Sequence, residues 1–368
     1  MRFPLFATMF PSPTIARYMA RMFLVRTVAF LGGLVLILQT LDLLGESGKI
    51  LAVAGNGEAE LWHYVLLRLP QLIALFLPFS VLLATLLTFM TLNQNSEVVI
   101  FKAAGISAHQ ILAPAILAGV LVAVLNFAFN ERVLVRSNAE FDRWKAIEYQ
   151  PLPPDAVNTR EVWVRAGNDL IHAGNVRGRG AATMLFDVTI YDREENHLVE
   201  IIRGTSATPA ERGWKLTDVR TFDVKSGHQT VSPERIVLTP ATPQQFTTQG
   251  VNADHLPLWR LIPAIRSLSE AGRPTDALVA KAFHKVSGPL SAALMPLLGA
   301  VAAFGLARSG KLFIRAVIGL ALGVAFFVAD NFGMAMSDFG AYPPWAAAFG
   351  PFLLFLLVGE AVLVRSEE

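Results

Sequence analysis

Two groups of three long apolar runs, separated by a polar stretch at about 130–254, constrain this chain more than any other feature. The runs cover 22–44, 69–92 and 111–129, then 282–307, 314–336 and 344–364. Roughly 20 helical residues span a bilayer core, and a helix pairs its backbone polar groups internally. Such runs therefore read as membrane helices, whereas the polar middle cannot sit in lipid. Composition agrees: 53% of residues are hydrophobic and only 16% are charged, against about 25% charged in soluble domains. A net charge of +2 argues against a nucleic-acid partner. With no cysteine, neither a disulfide framework nor a thiol nucleophile is possible.

The first run follows Arg17 and Arg21, and Ala52-Val53-Ala54 has the form of a signal-peptidase site. The run is too long and too distant from those alanines, so it is expected to be retained as an anchor. Pro70 and Pro78 in the second run are tolerable where neighbours re-satisfy freed carbonyls. Six spans put Arg2, Arg17, Arg21, Lys102, Arg308, Lys311 and Arg365 on one side. The other side has Lys49 and Arg68 offset by Glu46, Glu58 and Glu60, and a 337–343 loop without Lys or Arg. The positive-inside rule then makes both termini cytoplasmic and the polar middle external.

The middle reads as short β-strands, with no helical period. "TMLFDVTIYD" alternates, placing Phe186, Val188 and Ile190 on one face and Asp187, Thr189 and Tyr191 on the other. "EVWVRAGNDLIHAG" gives two strands joined at Gly167-Asn168; Glu194-Glu195-Asn196 separates two more, and Gly213 precedes another. An inserted antiparallel all-β domain of jelly-roll type is expected, with an edge available to another chain. The expected domains are 1–129, 130–254 and 255–368. In the last, Leu258, Leu261, Ile262, Ile265 and Leu268 recur at helical spacing, which suits a helix on the membrane surface or one packed on the β domain.

Catalytic motifs are wanting. "GLARSGKL" imitates a phosphate-binding loop, but Leu312 stands where Mg²⁺ needs Ser or Thr, and a membrane helix precedes it. The seven histidines show no metal-ligand spacing. No enzyme is expected. In "LNQNSEVVIFKAAGIS", Ser96 can cap a short helix with Glu97 in its first turn, Val98, Val99 and Phe101 as apolar contacts, and Gly105 as its end. That pattern suits either a docking helix for a cytosolic motor or an ordinary loop helix. Asp330 and Asn331 interrupt the fifth run, in a wet cavity or near the outer interface, since a carboxylate at the bilayer centre costs at least about 2.5–3.5 kcal/mol.

"NSEVVIFKAAGIS", "FFVADNFG" and "YPPWAAAFGPFLLFLLVGEAVL", with the three-span, β, three-span plan, resemble the LptF/LptG permeases of lipopolysaccharide export. The last two segments are more similar to the LptG branch than to LptF. The resemblance implies an inner-membrane permease subunit of an ABC transporter that extracts lipopolysaccharide and passes it to a periplasmic β-jelly-roll bridge. It implies an LptF-like sister permease, an LptB-like ATPase dimer, and LptC-like and LptA-like periplasmic proteins. ATP would be bound by the ATPase, leaving this chain without a cofactor. Carried onto this chain, the coupling helix spans about 94–106, with Glu97, Val98, Phe101, Lys102 and Gly105. The first and fifth spans would line a lipid gate and cavity with Leu36, Leu43, Phe326, Phe327, Asp330 and Phe332. Lys49 and Arg68 are the nearest cations for a head group. Where the family often has basic residues at the outer end of the first span, this chain has Gln39, Asp42, Gly45 and Glu46. The alternatives are the sister subunit, or a non-transporting scaffold that recruits periplasmic partners.

Overall fold

The structure is a computed structural model that describes residues 12–151, 159–178, 180–194, 197–210, 213–247, 252–270, 273–305 and 312–365. Arg2, Arg308, Lys311, most of the 305–312 motif and the Glu195-Asn196 turn lie outside the described residues. The chain divides into two compact units, Met1–Gln150 with Ala253–Ile265 and Pro274–Glu368, and Pro151–Asn252 with Arg266–Arg273.

Among the described residues of the first unit, six helices are long and apolar enough to cross a membrane. Helix α1 spans Pro13–Leu51; Ser12 caps it by accepting from the Ile15 amide at 3.2 Å, and Pro13 takes the first position, where no amide is needed. Helix α2 spans Glu58–Gln94, opened by Glu60, whose carboxylate accepts from the Gly57 amide at 2.7 Å. The short α3 is Glu97–Ala103. At 1.5 Å per residue, the 39 residues of α1 reach roughly 58 Å, well past the hydrocarbon.

The third span corrects the sequence reading of the polar middle. Helix α4 runs Ala108–Ala146, through a π-turn at Asn130–Leu134. Residues 130–146 are therefore helical where no helical period was expected. The stretch is mostly polar, and the buried Val135, Phe141 and Trp144 are too sparse to stand out as a stripe. Phe141 and Trp144 instead join Ile50, Tyr64 and Tyr149 in a small aromatic core at this end of the spans.

After the second unit come α6 (Leu258–Glu270), α7 (Asp276–Ala300, prolonged by a π-turn to Gly305), α8 (Leu312–Asp338) and α9 (Pro344–Arg365). Helix α7 is the axis of the bundle: 78% of its apolar stretch is buried, against 22% for α1, α8 and α9. Close approach needs small residues. A Cβ on Gly119 would lie 2.9 Å from Pro296, and one on Gly299 2.7 Å from Thr85, so glycine lets α4 and α2 pack directly on α7.

The second unit is a six-stranded antiparallel meander. Its strands are β1 (Thr159–Ala166), β2 (Asp169–Arg177), β3 (Met184–Glu194), β4 (His197–Ala210), β5 (Gly213–Asp223) and β6 (Gln229–Val237), paired in sequence order. Ile171 faces Ile190 and Val162 faces Ala173, all inward. A short helix α5 (Pro243–Thr247) follows, and Phe246 meets the Trp214 ring edge-on at 5.0 Å. The alternation read into β3 holds for Val188 and Ile190 but not for Phe186; Leu185 is the buried residue there. Asp187 is the cause. Its φ of +51° shifts the alternation by one position, opposite Gly174, whose absent Cβ would lie 3.1 Å from the Asp187 Cβ. Asp218, at φ +53°, does the same in β5 between buried Leu216 and Val219.

Candidate functional site

Helix α3 connects the second and third spans. Ser96 does not cap it as expected: at φ +59° the backbone is left-handed and its hydroxyl makes no capping bond. A side-chain cap requires an extended backbone there. The Asn95 amide instead donates to the Glu97 carboxylate at 3.2 Å. The far end is as expected: Gly105, at φ +80°, closes a turn in which the Ile106 amide bonds Phe101 O at 3.0 Å. Val98 is 4% exposed and Phe101 packs on the membrane core, so both hold α3 to its own bundle. The outward apolar side chains are Val99 and Ile100, 64% and 61% exposed, beside the exposed Lys102.

At the opposite end, the two cations considered for a head group are already engaged. The Asp42 carboxylate accepts from Tyr64 Oη at 2.6 Å and from Arg68 Nε at 2.9 Å, which ties α1 to α2. Arg68 also donates to Gln71, and its guanidinium lies 5.7 Å from the Phe141 ring centroid. Glu46 accepts from Lys49 Nζ at 3.0 Å and from Tyr149 Oη at 3.0 Å. Burial, and then the bond to Glu46, push the Tyr149 phenol up to about 12. The acidic residues that depart from the family's pattern thus serve as internal partners for these side chains.

The residues chosen for a gate separate into different roles. Leu36 and Phe332 are exposed on α1 and α8, whereas Leu43 packs on the aromatic core. Phe326 is buried edge-on against Phe355 at 5.5 Å, and Phe327 lies 5.5 Å from Phe79. Phe326, Phe327 and Asp330 border an open-mouthed cavity of about 330 Å³ lined by α2, α4, α7 and α8 and by Asp254. Asp330 Oδ2 lies 2.9 Å from His284 Nε2. Lys281 pairs with Asp254 at 3.5 Å, and Lys285 with the buried Glu131 of the π-turn at 3.5 Å. Glu131 also accepts from the Leu258 amide at the start of α6. Lys281, His284 and Lys285 fit no metal-ligand pattern and do not stand out in the sequence as a site. Their spacing of three and four on one face of α7 was the available signal. Among the described residues no three His, Cys, Asp or Glu are grouped to hold a metal.

A family model, the lipopolysaccharide export system permease LptF/LptG, matches residues 17–365. The chain belongs to the LptF/LptG permease family. It is similar to the lipopolysaccharide export system permease protein LptG of Escherichia coli K12, at 26% identity over 82% of this chain and 84% of that one. It is also similar to the protein of the same name in Haemophilus influenzae, at 24% identity over 85% of this chain and 89% of the relative.

Membership in the LptF/LptG family makes this chain a transporter subunit rather than a catalyst. Its six apolar helices fit a multi-pass protein of the inner membrane.

Proposed function

We propose that this LptF/LptG-family chain is the LptG-type permease of an ATP-driven lipopolysaccharide extractor. Similarity to two proteins named LptG carries the choice of subunit. In this reading both termini and α3 are cytoplasmic and the six-stranded sheet is periplasmic. An LptB-like ATPase dimer receives α3, with Glu97 and Lys102 as its polar contacts and Val98, Phe101 and Gly105 as its scaffold. The exposed Val99 and Ile100 support that use of α3. An LptF-like sister faces α1 and α8, whose outer faces carry Leu36 and Phe332. LptC-like and LptA-like proteins continue from the β domain, and the chain binds no cofactor of its own.

Co-purification from native membranes tests the reading. The chain should bring down the ATPase and one sister permease, and Glu97→Ala should reduce the recovered ATPase, since a charge-assisted contact is worth about 1.5–3 kcal/mol. Recovery of an ATPase and of lipopolysaccharide transport that are both indifferent to Glu97→Ala would sink the coupling role. A sister that is itself LptG-like would assign this chain to the LptF position instead.

A further inference from the structure

The cavity between α2, α4, α7 and α8 lies wholly within one subunit, and its lining changes character along its length. Toward the start of α7 and the end of α8 it carries Asp254, Lys281, His284, Lys285 and Asp330. Toward the middle of the spans it is walled by Pro78, Phe79, Met295 and Phe326. The base-bearing side chains at the polar end each face an acid, Lys281 against Asp254, His284 against Asp330 and Lys285 against Glu131. An anion drawn to His284 would leave the Asp330 carboxylate, 17% exposed, without its partner, and an unpaired charge with so little solvent is costly; the Lys281–Asp254 pair is half-exposed and carries no such penalty. A ligand that carries both signs can exchange partners with both pairs. Polar capacity is also left unused deeper in. Asn126 borders the cavity, is 5% exposed, and its amide oxygen has no partner; the amide oxygen of Asn130, a half-buried residue one turn on, has none either. Buried polar atoms are rarely left so. Rotation about χ2 lets either amide accept from a hydroxyl or donate to an ester carbonyl.

We infer that this cavity binds one zwitterionic amphiphile, a molecule with a phosphate and an ammonium group. Its head exchanges with the Lys281–Asp254 and His284–Asp330 pairs, its ester region meets Asn126 and Asn130, and an acyl chain lies along Phe79 and Met295. The site goes beyond the transport reading: it needs no sister subunit, and the surrounding bilayer supplies the ligand. Exported lipopolysaccharide carrying amine-modified phosphates has the same head chemistry, so the test separates the two sources.

The full chain is reconstituted in nanodiscs of mixed phosphatidylethanolamine and phosphatidylglycerol, with and without added lipopolysaccharide. Bound lipid is then counted by native mass spectrometry after detergent release. One phosphatidylethanolamine should be retained in preference to phosphatidylglycerol. Lys281→Gln and Asp330→Asn should each reduce its retention about tenfold, the worth of one charge-assisted contact. Met295→Trp should exclude it by filling the apolar end. Should a variant fail to fold, a diazirine-tailed phosphatidylethanolamine on the wild-type chain decides, by labelling or not labelling peptides of α2 and α7. Equal retention of the two phospholipids, or retention unchanged in both head-group variants, overturns the inference. Displacement of phosphatidylethanolamine by lipopolysaccharide in the same cavity overturns the bilayer source and assigns the site to the cargo. Absence of an ATPase partner would leave the lipid count unaffected, so the two readings fail separately.

Discussion

Tyr149 shows how much one residue can hold at the end of the membrane unit. It ends the third span with a left-handed backbone (φ +62°), and its amide bonds Trp144 O at 3.0 Å. Its carbonyl accepts from Asn56 at 2.9 Å, and its hydroxyl donates to Glu46. Its phenol titrates at about 12, above the ordinary 10, because the neutral form is the buried, hydrogen-bonded one. The sign follows. Stability from this group is complete below pH 10 and is lost as pH rises toward 12, because the unfolded phenol releases its proton first. Thermal melts between pH 9 and 12 should fall more steeply for wild type than for Tyr149→Phe. Parallel slopes would mean that Tyr149 is not held as described. The sequence showed a tyrosine after a polar stretch; its partners at 46 and 56 lie about a hundred positions away and became visible only on folding.

At the scale of elements, α3 divides into an inward and an outward face. Val98→Asp should disrupt the bundle, by several kcal/mol, since it buries an unpaired charge. Val99→Asp with Ile100→Asp should leave the fold within about 0.5 kcal/mol, as exposed changes do, and yet abolish recovery of the ATPase. Circular dichroism melts alongside pull-downs distinguish these outcomes; a double variant that still recovers the ATPase removes α3 from the coupling interface. The sequence located this helix and its Gly105 end correctly. It could not orient the helix, because seven residues make only two turns and both faces carry valine.

The β-strands repeat the lesson in another geometry. Alternation predicted strands that are present, with the Gly167-Asn168 turn between the first two, but the left-handed Asp187 reverses the faces within β3. Asp tolerates that conformation better than most residues, whereas a β-branched side chain does not. Asp187→Val should therefore destabilise the sheet domain by about 1–3 kcal/mol, read as a lower midpoint in urea. Asp187→Gly should cost little. Equal effects from the two would show that backbone conformation is not the reason for Asp at this site.

On the scale of the whole molecule, the bundle is organised around α7, reached closely by α4 at Gly119 and by α2 at Gly299. Gly119→Leu must push apart backbone and a proline ring, neither of which can swing away. It should lower the thermal midpoint of the detergent-solubilised chain by the equivalent of about 1–3 kcal/mol. A midpoint equal to wild type would show that α4 and α7 are not in direct contact there.

The plan of six spans around a β insert was legible in the sequence because each part answers to its solvent. A bilayer demands some twenty apolar residues in a row, and an exposed sheet demands alternation between turns. The resemblance to the LptF/LptG family rested on contiguous segments, which folding does not rearrange. Tertiary structure decided which side chains meet. It set Asp42 and Glu46 against Arg68, Tyr64 and Tyr149, and brought residues of four helices around one cavity with Asp330 and His284 in contact. Charges in a bilayer act over a few ångströms and only with the neighbours that helix packing provides, so their partners are a property of the packed bundle.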